Sequence, residues 1–150
     1  MMFSAMTTKA GITTRLFLAG VLLASLTTLS AQEKPEQIAQ KQAEHWLALI
    51  DAGHYDESWE QAAEIFKSAV TKESWKQQVS AVRGQTGKLK SRALKSAEYK
   101  ESLPNAPAGK YVVIEFGSVF DVGPAVETVV PMQEKDGTWK VSGYFVKPAQ

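Results

Sequence analysis

Lys110-Tyr-Val-Val-Ile-Glu-Phe-Gly-Ser-Val-Phe-Asp-Val-Gly-Pro-Ala-Val-Glu-Thr-Val-Val-Pro-Met-Gln-Glu-Lys-Asp-Gly-Thr-Trp-Lys-Val-Ser-Gly-Tyr-Phe-Val146 decides the fold. Its first third, Tyr111 to Asp121, is dense in β-branched and aromatic residues. Apolar side chains fall on both alternating faces there, as in a strand covered on one side and lining a cavity on the other. Gly123-Pro124 interrupts it, and Ala125 to Met132 forms a second run. Asp136-Gly137 then predicts a tight type I′ hairpin, with positive φ at both residues, that returns the chain along Trp139 to Val146. On that last strand Trp139, Val141, Gly143 and Phe145 share one face and Lys140, Ser142, Tyr144 and Val146 the other. Gly143 marks a bulge or a sharp bend.

Upstream, the period changes from two to 3.6. Pro35 opens a helix in which Ala39, Ala43, Trp46, Leu47 and Ile50 recur on one face, and Gly53 stops it. Asp56 is the expected N-cap of a second helix carrying Trp59, Ala62, Ala63 and Phe66. Thr71 caps a third, with Trp75, Val79 and Val82 as its apolar stripe, ending at Gly84. Gln85 to Tyr99 loses the helical stripe and reads as a long polar first strand. Ser102 to Gly109, with two prolines and a glycine, is a loop. The four tryptophans fall where core is expected. The order predicts an α+β domain: three N-terminal helices packed on a curved four-stranded antiparallel sheet.

The chain has 150 residues, enough for one ordinary domain. Its first 31 read as a removable signal peptide: Lys9 and Arg15 give the basic region, Leu16 to Leu26 the apolar region, and Thr27 to Ala31 the small-residue segment. Cleavage is expected after Ala31, leaving residues 32–150 as a periplasmic or secreted domain. The apolar run falls short of the ~20 residues that span a bilayer, so no membrane association is expected after cleavage. With no cysteine, disulfides, thiol nucleophiles and thiolate metal sites are excluded. Without Lys9 and Arg15, 15 basic residues remain against 16 acidic ones. That balance, with no basic face, argues against a nucleic-acid partner.

Several pieces carry a family resemblance: Trp46-Leu-Ala-Leu-Ile-Asp51, Tyr55 to Trp59, Trp75, Arg83 with Gly87, Arg92, Leu103-Pro-Asn-Ala-Pro-Ala-Gly-Lys-Tyr111, Phe116 with Phe120, Glu127-Thr128, and Asp136-Gly-Thr-Trp-Lys-Val-Ser-Gly-Tyr-Phe145. Over roughly Ala43 to Val146 the chain resembles the bacterial exported proteins known as domain of unknown function 4019. The resemblance implies the cone-shaped fold of nuclear transport factor 2 and ketosteroid isomerase, together with export. It brings no assigned activity. Dimerisation through the outer face of the sheet is common in relatives of this fold, so a homodimer is an expectation by resemblance.

Glu115 and Asp121 are the weak catalytic candidates, because a carboxylate inside an apolar cone has its pKa raised toward that of a useful general base. Tyr111, Val113, Glu115 and Trp139 are expected to border a mainly apolar ligand cavity. Arg83 and Arg92 either bind an acidic ligand or pair with Glu127 or Glu115 across the sheet. His45 and His54, with Glu44 and Asp51 nearby, need not converge, and neither a metal site nor a cofactor is expected. The balance favours a non-catalytic module that binds a small apolar ligand or a protein partner. The alternative is a small enzyme of isomerase- or hydrolase-like acid/base chemistry built on Glu115.

Overall fold

The computed structural model describes residues 32–150; the expected signal segment lies outside the described residues. Among the described residues four helices precede four strands: α1 (Pro35–Asp51), α2 (Tyr55–Gln61), α3 (Glu64–Ala69), α4 (Lys72–Thr86), β1 (Leu89–Lys100), β2 (Tyr111–Phe120), β3 (Pro124–Gln133) and β4 (Trp139–Pro148). The strands form one antiparallel sheet in sequence order. The fold is therefore α+β, with α1 touching all four strands.

The helix stripes meet one face of the sheet. Ala39, Ala43, Trp46, Leu47 and Ile50 of α1 and Trp75 and Val79 of α4 pack with Val112, Ile114, Phe116, Val129, Trp139 and Val141 in a single core cluster. Its centre is aromatic: Trp46 lies 5.6 Å from Trp75, and the Tyr144 ring sits edge-on to both. Buried indole N–H groups need acceptors, and Ser58 supplies them. Its carbonyl accepts from Trp46 Nε1 at 2.7 Å and its Oγ from Trp75 Nε1 at 3.0 Å, which explains a fully buried serine in α2.

Three local features depart from the sequence expectation. The second helix divides, because Ala62 and Ala63 take extended ψ angles of 165° and 152°. Both alanines are fully buried, and the Ala63 N–H donates to Val141 O at 2.8 Å, so two small residues let the backbone touch β4 where a continuous helix would stand off. The N-cap of α2 is His54, with Asp56 inside the first turn. Thr71 caps α4 through Ser74 N at 3.2 Å as expected, but α4 runs past Gly84 to Thr86 and closes at Gly87, whose φ is 75°. A Cβ at Gly87 would lie 2.7 Å from Asp121 Cβ, so both the turn and the packing there favour glycine.

The hairpin is not type I′. Only Gly137 has positive φ, at 86°; Gly137 N bonds Glu134 O at 2.9 Å, and Glu134 N bonds Thr138 O at 2.7 Å. This is a three-residue loop, a turn followed by a left-handed glycine. Further along β4, Val130 faces Gly143 and Pro131 faces Val141, so Ser142 is an extra residue. A bulge exchanges faces. Trp139 and Val141 therefore point into the same core as Tyr144, while Phe145 is left 65 % exposed.

Trp46→Ala removes the hub of the aromatic cluster and should destabilise the domain by about 3–5 kcal/mol. Trp59, half-buried with its Nε1 donating to Val70 O at 2.8 Å, should cost less on the same change. Urea midpoints rank the two; equal and small losses would contradict the packing described.

Candidate functional site

Glu127 is the only acidic residue buried in the described core, with a side-chain exposure of 0 %. Strand register places it. Phe116 and Glu127 are cross-strand partners, so Glu127 shares the helix-facing side of the sheet with Ala125 and Val129. Ser118 and Tyr144, partners of Ala125 and Val129, are its diagonal neighbours. Tyr144 OH donates to Oε1 at 2.6 Å and Ser118 Oγ donates to Oε2.

Two arginines complete the shell. Arg92, opposite Ser118 on β1, uses both edges of its guanidinium. Nε and Nη2 reach Glu127 at 2.6 and 3.1 Å, and Nη1 and Nη2 reach Asp51 at the end of α1 at 2.7 and 3.1 Å. Such planar two-point pairs are a guanidinium property that lysine cannot reproduce. Arg83 of α4 contacts Asp51 Oδ1 at 2.9 Å, Tyr144 OH at 3.3 Å and Glu127 Oε1 at 3.5 Å, all through Nη2. Its guanidinium carbon lies 5.0 Å from the centre of the Phe120 ring. Its Nε is buried without a hydrogen-bond partner among the described residues.

These contacts fix protonation. Burial by itself would raise the Glu127 carboxyl, but the hydrogen bonds from Arg92, Ser118 and Tyr144, with the Arg92 charge, outweigh it and hold the group below the ordinary glutamate range. Burial, and then the Glu127 charge, push the Tyr144 phenol well above its usual value. Burial works against the Arg92 charge, yet its bonds to Asp51 and Glu127 leave it raised. An ionised Glu127 thus faces the Arg92 guanidinium, and Tyr144 keeps its proton.

Beside this cluster opens a cleft of about 600 Å³ lined by Ile50, Asp51, Tyr55, Arg83, Lys88, Leu89 and Asp121, with Gly84 and Gly87. Asp121, one of the two catalytic candidates, is here. Its Oδ2 accepts the Lys88 N–H at 2.8 Å, and that bond is the largest of the effects that hold its carboxyl below the ordinary range, opposite to the raised value a general base needs.

The other candidates do not converge on this cleft. Tyr111, Val113 and Glu115 alternate along β2 with the core residues Val112, Ile114 and Phe116, which puts them on the outer face of the sheet. Tyr111 is nevertheless buried: its OH donates to Pro107 O at 2.7 Å, and Gly109 lies against its ring. The proline-rich loop therefore supplies the cover that the two-sided apolar strand requires. Trp139 lies on the opposite, helix-facing side, so the expected border of Tyr111, Val113, Glu115 and Trp139 is split between two faces. Arg83 and Arg92 take the pairing role with Glu127. His54 begins α2 with Nδ1 3.7 Å from Glu57, and no group of three or more possible metal ligands forms among the described residues. The residues missed as site members are Ser118, Tyr144 and Asp51.

Glu127→Gln should destabilise the fold by about 3–5 kcal/mol at neutral pH, because two arginines lose a buried counter-charge. Its folded pKa lies below the unfolded value of about 4.3, so the carboxylate's contribution is complete above that pH and is lost as pH falls through the folded pKa. The stability gap between wild type and Glu127→Gln should accordingly close on acidification below about pH 4.3. Urea titrations from neutral to acid pH measure it, and a gap independent of pH would rule out an ionised Glu127.

Comparison with known proteins adds the following. The family described as "Protein of unknown function (DUF4019)" matches residues 42–144. No curated protein matches the chain. A solved 2.5 Å structure from Catenulispora acidiphila is similar in backbone at 10 % identity and a TM-score of 0.49, over 74 % of this chain and 88 % of that one. With the family matching from within α1 to Tyr144, across the whole charge cluster, this chain belongs to the DUF4019 family.

Proposed function

We propose that this chain is an exported, non-catalytic binding module whose scaffold presents a cleft to a small ligand or to a partner protein. One observation carries the reading: every oxygen of the buried acid is already committed. Glu127 accepts from Arg92 twice, from Ser118, from Tyr144 and, at longer range, from Arg83. A general base needs a free lone pair aimed at a substrate and a pKa near the working pH. Glu127 offers neither. Asp121 is tied to the Lys88 amide, and Glu115 stands on the outer face, away from the cleft. None of these three carboxylates is poised for acid/base turnover, whereas binding needs only the cleft.

Export rests on the order of basic, apolar and small residues before Gln32. Intact mass of protein recovered from the cell envelope is expected to begin at Gln32; a species retaining Met1 would remove this part. Native mass spectrometry of the same sample is expected to show a retained small molecule or partner at fixed stoichiometry, unchanged by Glu115→Gln. Chemical conversion of a bound molecule that disappears in Glu115→Gln would instead favour the acid/base alternative.

A further inference from the structure

We propose that the β4 edge of the sheet pairs with the same edge of a second copy of this chain, antiparallel and centred on Phe145, so that two sheets join edge to edge. The two open edges, β1 and β4, are not built alike. Along β1 the exposed lysines Lys90, Lys95 and Lys100 and the shifts of register at Leu89/Ser91 and Leu94/Ser96 are devices that keep a strand from pairing with a neighbouring molecule. Between Lys140 and Lys147 β4 carries no charge, and past the Ser142 bulge it continues without a further shift. There Phe145 is 65 % exposed.

The backbone shows which groups are free. The Ala149 N–H donates to Pro124 O at 3.1 Å, so by alternation Lys147, Phe145 and Gly143 direct their main-chain groups toward β3, and Tyr144 and Val146 direct theirs off the edge. No main-chain hydrogen bond from another element reaches Tyr144 or Val146 among the described residues. At one end the edge is already taken, because the Ala63 N–H donates to Val141 O at 2.8 Å. At the other, Pro148 has no N–H to give and ends the strand. The open stretch is Gly143 to Lys147, and Phe145 is its middle residue.

That centre suits a second copy of the strand. A twofold axis at Phe145 sets Tyr144 opposite the partner's Val146, and Val146 opposite the partner's Tyr144, so the free N–H and C=O groups of each strand meet those of the other. The two Phe145 side chains fall in a non-hydrogen-bonded pair, where facing side chains come closest and an aromatic pair is favourable. Lys147 falls opposite Gly143, and the two Lys147 charges stay at opposite ends of the contact. Gly143 also leaves the room the ring occupies, since a Cβ there would lie 3.3 Å from Phe145 Cε2. Moving the axis to Tyr144 would bring Lys147 against Val141, whose edge Ala63 holds. Moving it to Val146 would set Tyr144 against Pro148, which has no N–H to offer.

The chain has no cysteine, so single cysteines report the register. Facing Cα atoms in a non-hydrogen-bonded pair are about 4.5 Å apart, within disulfide reach. On oxidation Phe145→Cys is expected to form a dimer that reductant reverses, while Lys147→Cys and Val119→Cys, the latter exposed on the outer face of β2, stay unlinked. Sedimentation of the purified wild type over a range of concentrations should show a monomer–dimer equilibrium. Val146→Pro removes an N–H that β3 does not use, so it should keep the fold and weaken the dimer by about tenfold or more, the scale of one such bond lost from each copy. Thermal unfolding verifies the fold, and Phe145→Lys, at an exposed position, repeats the test without altering the backbone.

A wild type that sediments as a monomer at every concentration would overturn the proposal and leave the edge to a strand of another protein. So would a dimer undiminished in folded Val146→Pro and in Phe145→Lys. Cross-linking of Val119→Cys in place of Phe145→Cys would show the outer faces of two sheets in contact and overturn it as well. None of these outcomes bears on the cleft, so the binding-module reading stands or falls separately.

Discussion

The fold depends on solving one electrostatic problem: an ionised glutamate sits in the middle of an apolar sheet face. Removing a carboxylate from water costs several kcal/mol even after relaxation, and only good geometry offsets that. The geometry here comes from six elements at once. Asp51 closes α1, Arg83 comes from α4, and Arg92, Ser118, Glu127 and Tyr144 come one each from β1 to β4. A one-residue slip of any strand would turn its contributor to the other face. The cluster's main effect is thus on register and docking, since a buried ion pair adds little net stability over a well-packed apolar one but is expensive to break.

The polar cluster and the aromatic core are held together by Tyr144. Its ring packs edge-on against Trp46 and Trp75, while its hydroxyl bonds Glu127. The Ser142 bulge makes this dual use feasible. Without the extra residue, strict alternation from Trp139 and Val141 would send Tyr144 outward, and Glu127 would lose a donor. Ser58 is the matching joint on the helical side, where one small side chain and its carbonyl serve two indoles. Both joints place a polar atom where a larger or wholly apolar residue would leave a donor stranded.

What could be read from the sequence divides along the same line. Strand positions, the α1 stripe, the Thr71 cap and the α+β order follow from periodicity and local chemistry, which sequence displays directly. The break at Ala62–Ala63 does not, because it answers to a tertiary bond with Val141. The Ser142 bulge was signalled by Gly143, yet its consequence for which face Tyr144 takes lies in the pairing with β3. Asp136-Gly137 named the turn's place but not its type, since Asp136 keeps negative φ and accepts from Thr138 N at 2.9 Å instead. Glu127 had a usable signal: it shares parity with Ala125 and Val129 in a strand with few polar positions, and residues 32–150 hold two arginines, Arg83 and Arg92, without local helical partners. Glu115 offered the same pattern from the other parity. Only the side on which the helices lie tells the two glutamates apart.

That distinction also decides what chemistry is open to the buried acid. A carboxylate in an apolar enclosure becomes a useful base when desolvation dominates and its partners are few. In this chain desolvation is the largest single influence on Glu127, and it is still outweighed, because four side chains donate to it. Freeing one oxygen for substrate would leave a guanidinium N–H or a hydroxyl without its acceptor, and would loosen the register that places the others. The interior acid is therefore committed to structure. Its partners are spent on holding six elements together, so the cluster's chemistry is that of a joint between helices and sheet.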